Sequence, residues 1–67
     1  MFYPNMLKAK IVEKGMSVVD LCNSIGICEA TFYRKLSRQG DFSRFEIKGM
    51  VEKLGLSIEE MNSIFFA

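Results

Sequence analysis

The chain has 67 residues, 49 % of them apolar and six of them Phe, with a net charge of +1. That is enough apolar material for one small core, and it excludes wholesale disorder. No apolar run nears the roughly 18 residues that cross a bilayer, and no basic leader precedes an apolar stretch, so a cytoplasmic protein without membrane contact is expected.

Two cysteines and no histidine supply no zinc-ligand set, and Cys22 and Cys28 are not expected to form a structural disulfide in that compartment. No glycine loop cradles phosphate and no clustered acid pair suggests proton transfer. Neither metal, cofactor nor enzymatic activity is therefore expected. The charge is unevenly spread. Between residues 33 and 45 lie Arg34, Lys35, Arg38 and Arg44 against Asp41 alone, whereas from residue 49 onward Lys53 stands against Glu52, Glu59 and Glu60. A local basic stripe suits one-sided contact with nucleic acid better than the total suggests.

In chain order, the apolar spacing predicts five helices, at about 6–14, 18–24, 29–37, 44–54 and 58–65. No stretch alternates in a two-residue period, so no sheet is expected. Three of the helices start with a serine followed three residues later by an acid: Ser17 with Asp20, Ser43 with Glu46, and Ser57 with Glu60. In such a box the hydroxyl accepts an unpaired backbone N–H, and the acid accepts the serine's own. Gly15 and Gly55 follow helical stretches and precede Met16 and Leu56, as helix-ending glycines do. The expected core comprises Leu7, Ile11, Met16, Leu21, Cys22, Ile25, Ile27, Phe32, Leu36, Phe42, Ile47, Met50, Leu54, Leu56, Met61 and Ile64. Gly49 interrupts a helix at a cost of about 1 kcal/mol relative to Ala, which points to close approach of another helix or of a partner chain.

Residues 18–37 hold the most information. Counted from Val18, the fourth, eighth, tenth and fifteenth places are Leu21, Ile25, Ile27 and Phe32, which close a small core between two helices. The fifth, Cys22, is small where the helices cross. The ninth, Gly26, suits a tight turn with a left-handed backbone. This is the pattern of a helix-turn-helix that lays its second helix in the DNA major groove.

With that set in register, the chain resembles the Cro and repressor-like helix-turn-helix regulators (the xenobiotic-response-element family) of phages and mobile elements. The likeness spans residues 6–66. It extends through Thr31-Phe32-Tyr33-Arg34-Lys35-Leu36, Asp41-Phe42, Arg44, Glu46-Ile47, Leu54-Gly55-Leu56-Ser57 and Ile64-Phe65-Phe66, as in small phage regulators of Gram-positive bacteria. It implies a single all-α, compact, five-helix lambda-repressor-like domain over residues 1–67 that binds operator DNA, usually as a two-fold dimer. The chain departs from the family at Val18, where Gln often touches a phosphate, at Cys28, where Ser or Thr usually caps the recognition helix, and at Glu29, where Gln is common.

On this reading Cys28, Glu29, Ala30 and Arg34 meet base edges, while Ser17, Tyr33, Lys35, Arg38, Gln39, Ser43 and Arg44 contact the backbone. Phe45, Gly49, Phe65 and Phe66 form a homodimer interface, setting half-sites about 34 Å apart. The alternative is a helix-turn-helix used for protein contact, as in an antirepressor or an inhibitor of a host protein, with little DNA binding.

Overall fold

A computed structural model describes residues 1–66. The fold is all-α. Its helices are α1 (Pro4–Glu13), α2 (Val18–Ile25), α3 (Glu29–Ser37), α4 (Arg44–Leu54) and α5 (Ile58–Met61), the last running into a π-helical turn, Asn62–Phe66. Helix α2 packs against both α3 and α4, and α1 packs against the C-terminal turn. No helix among the described residues is long and apolar enough to cross a membrane.

The three serine boxes form as the sequence predicts. Ser17, Ser43 and Ser57 each accept the amide of the acid three residues on, at 3.1 Å, and each acid accepts the serine's amide in return. At the other ends, the amides of Met16, Ile27 and Leu56 reach back five residues to the carbonyls of Ile11, Cys22 and Val51 at 3.0–3.1 Å. These bonds occupy carbonyls that a helix end otherwise leaves unpaired. Gly26 takes φ 76°, so the chain reverses between α2 and α3 instead of continuing as one helix.

Helix α1 starts at Pro4, two residues before the expected 6–14. Tyr3 provides no side-chain cap. Instead proline's fixed φ and missing N–H suit a first helical position, and the Tyr3 amide donates to the Ile64 carbonyl at 2.8 Å. The two chain ends thereby hold each other. Phe2 is buried as a result, in a cluster with Phe32, Phe42 and Phe65: its ring stacks on Phe65 at 5.6 Å and meets Phe42 edge-on at 5.9 Å. Phe2 and Phe65 join the expected core. Met16, Ile27, Ile47 and Met61, expected inside it, are only partly buried at its edge.

Candidate nucleic-acid interface

Helix α3 sits on the body through Phe32 and Leu36, which are buried. Its opposite side is open. Ala30, Tyr33, Arg34 and Ser37 recur at spacings of three and four, so they share one exposed stripe, with Cys28 and Glu29 exposed at its start. Among the described residues no other segment covers this stripe. The expected base-contacting residues Cys28, Glu29, Ala30 and Arg34 thus lie together on one outward surface.

At the start of α3, Cys28 takes the capping position without making a side-chain cap bond. Its thiol is paired with the Thr31 hydroxyl at 3.1 Å. The hydrogen bond with that hydroxyl holds the Cys28 thiol below its ordinary pKa, whereas burial pushes the Cys22 thiol up. Tyr33 is half-exposed, and its ring meets Phe32 edge-on at 5.6 Å. It shares a shallow groove of about 280 Å3 with Ser17, Val18 and Lys8. The groove brings two expected backbone contacts, Ser17 and Tyr33, beside a lysine that the sequence reading did not single out. Lys8 lies on α1, and only the packing of α1 beside α3 reveals its place.

At the far end of α3, Arg38 and Gln39 are exposed where the chain turns. Gln39 and Gly40 both adopt left-handed backbone, with φ 60° and 75°. A side chain at Gly40 is disfavoured on two counts, by the left-handed backbone and because a Cβ built there would lie 2.6 Å from Cδ1 of the buried Phe2 ring. The Phe2 ring therefore underlies the turn that carries Arg38 and Gln39. Arg34, Arg38 and Arg44 make no ion pair among the described residues.

Lys35 behaves differently from the expected backbone contact. Its ammonium donates to both carboxylate oxygens of Glu46, at 2.7 and 2.9 Å. Among the described residues Glu46 is the one charged residue that is buried, and the same carboxylate accepts the Ser43 amide at 2.8 Å. Burial pushes the Glu46 carboxyl up, but Lys35 and the Ser43 amide outweigh it and leave its pKa lowered. Lys35, Glu46 and Ser43 thus tie the last turn of α3 to the first turn of α4. This fixes α3 against α4 and commits the Lys35 ammonium to a partner within the chain. It also narrows the anion seat expected at Ser43: the cap's own amide is taken, leaving the hydroxyl proton and the first amides of α4. Ser17 stands in the same position through Asp20.

The expected dimer interface divides. Phe65 belongs to the core, 7 % exposed and stacked on Phe2, so it does not lie on an interface. Gly49 faces inward: a Cβ there would lie 2.8 Å from Cγ2 of Ile25. Its smallness therefore answers the α2–α4 contact within the chain. Phe45 and Phe66 remain outside, 78 % and 59 % exposed, but on opposite flanks of α4. Phe45 borders one groove with Gly49, and Phe66 borders another with Ile47 and Val51.

Comparison with protein families, curated proteins and solved structures finds no match to this chain.

Proposed function

We propose that this chain is a cytoplasmic, non-enzymatic, sequence-specific DNA-binding regulator of the Cro-like phage or mobile-element kind, reading the major groove of operator DNA with α3. The observation that carries the reading is the exposed stripe of α3, flanked by three arginines that make no ion pair among the described residues. Arg34 is suited to a bidentate contact with guanine O6 and N7, Glu29 to the amino group of cytosine, and Ala30 to a thymine methyl, with Cys28 at the groove edge. Tyr33, Arg38, Gln39 and Arg44 contact phosphates, joined by Lys8 and by the hydroxyls of Ser17 and Ser43. Lys35 is a positioning residue in this scheme.

The test is a selection of bound duplexes from a random library, followed by Arg34→Ala on the selected site and on random duplex. Arg34→Ala costs about 1–3 kcal/mol on the selected site and little on random sequence. Equal losses on both would remove Arg34 from base reading, and failure to enrich any sequence would remove sequence-specific binding altogether.

A second reading is favoured by the Lys35–Glu46 pair and the near-neutral total charge: the same two helices used to contact a protein, as in an antirepressor or an inhibitor of a host protein. It retains the exposed stripe of α3 but requires no affinity for duplex DNA.

A further inference from the structure

Away from the α3 stripe, the described surface holds an open apolar groove of about 570 Å3. Ile47 and Val51 on α4 form one wall, and Met61 and Phe66 form the other. Phe66 is 59 % exposed, so filling the groove would remove apolar surface from water. The charged side chains that line it are Arg44 and Lys48, both basic, both exposed and neither in an ion pair among the described residues. The two kinds of side chain are ordered. Arg44 and Lys48 stand four residues apart, as do Ile47 and Val51, and side chains at that spacing are neighbours along a helix. A basic row and an apolar row therefore run side by side down α4.

Paired rows of this kind complement an amphipathic helix laid in the groove, with apolar anchors one turn apart and acids beside them at the same spacing. This chain holds no such helix. Its eight acids are at 13, 20, 29, 41, 46, 52, 59 and 60, and no two are three or four residues apart. A second copy therefore has no single helix to match both rows. We propose that the groove docks an acidic amphipathic helix of another protein, two of its apolar side chains lying between the Ile47–Val51 and Met61–Phe66 walls while two acids one turn apart meet Arg44 and Lys48. Met61 suits the role, since an unbranched thioether adapts to anchors of different shape. The contact is small and the docking segment must order itself, so the complex dissociates in about the micromolar range or weaker. This surface is separate from the α3 stripe. The proposal is measured without DNA and rests on neither reading of α3.

The probe is a displayed library of helix-favouring peptides of about 16 residues, random in charge, selected on the wild-type chain and followed by fluorescence anisotropy with one enriched peptide. Enriched sequences carry two apolar residues three or four apart, with two acids at the same spacing. Phe66→Ala weakens the peptide about tenfold, and Phe45→Ala, on the far flank of α4, leaves it unchanged. Arg44→Glu and Lys48→Glu each weaken it about three- to thirtyfold, because an exposed attraction becomes a repulsion. Both sites are exposed, so each variant keeps its helical circular dichroism. The chain carrying both reversals rejects the selected peptide and binds its counterpart with the two acids changed to Lys. Failure to enrich acidic peptides overturns the proposal, as does equal loss with Phe45→Ala and Phe66→Ala, or no recovery with the charge-swapped peptide. A wild-type chain that dimerises in sedimentation equilibrium, and loses the dimer with Phe66→Ala, gives the groove to a second copy and overturns it too.

Discussion

Substituting Gly40 by Ala separates two costs that left-handed glycines usually combine. Gly26 and Gly40 have nearly the same φ, 76° and 75°. A Cβ at Gly26 meets nothing within 4 Å, whereas one at Gly40 runs into the Phe2 ring. Gly26→Ala therefore carries the backbone cost alone, about 1–2 kcal/mol. Gly40→Ala carries the same cost plus that of displacing a buried ring packed on Phe42 and Phe65, a further 1–3 kcal/mol or so. Stability of about 0.05–0.15 kcal/mol per residue gives a domain of this size roughly 3–10 kcal/mol in all, so the second variant loses a large share of it. Urea unfolding followed by far-UV circular dichroism measures both. The midpoint falls in each variant at an unchanged slope, and it falls about 1.5 to 4 times as far for Gly40→Ala. Equal midpoints would show that Phe2 does not underlie the turn bearing Arg38 and Gln39.

Lys35→Met costs about 1–3 kcal/mol of stability by leaving the buried Glu46 carboxylate short of a partner, but it leaves the salt dependence of DNA binding nearly unchanged. Arg38→Ala and Arg44→Ala do the reverse, each reducing the slope of log affinity against log salt by about 1; urea unfolding and fluorescence anisotropy distinguish the two classes. Phe65→Ala destabilises the chain by about 3–5 kcal/mol, while Phe66→Ala changes monomer stability by less than about 0.5 kcal/mol, measured at dilutions below any self-association. Acid unfolding follows the paired carboxylates. The hydrogen bond from Lys10, with the Ser57 amide, holds Glu60 down at about 2, below the roughly 4.3 of an unfolded glutamate. Its stabilising contribution is therefore complete above that unfolded value and is lost as pH falls through about 2, in the same direction as Glu46. Glu60→Gln flattens the low-pH limb of a Tm-against-pH curve; an unchanged limb would show that the Lys10–Glu60 pair is not formed in solution.

The sequence was most legible where short-range chemistry decides. Each serine box closes over three residues, and each helix-ending glycine acts on the turn before it, so α2, α4 and α5 start where their caps predict. It was least legible where the deciding partner is distant. Lys35 reads as a surface cation until α4 brings Glu46, eleven residues on, against it. Phe2 stands outside any helical period and is buried only because the Tyr3 amide reaches Ile64. Phe65 and Phe66 are indistinguishable in sequence; the π-helical turn sends one inward onto Phe2 and leaves the other outside. Gly49 was legible as a close approach but not as to which neighbour, and Ile25 of α2 is the answer. The stripe on α3 was legible in large part: Ala30, Tyr33 and Arg34 were expected there, and the same helical spacing adds Ser37 once Phe32 and Leu36 face the core.

The claim that α3 and its flanking arginines engage duplex DNA is tested most directly by titrating the chain with random-sequence duplex over a range of salt concentrations. Neutralising phosphates releases counterions, so the account predicts measurable binding at low salt and a linear fall of log affinity with log salt, with a slope of about −0.9 for each phosphate neutralised. Binding that is absent at low salt, or that does not change with salt, would contradict it and leave protein contact as the use of this surface.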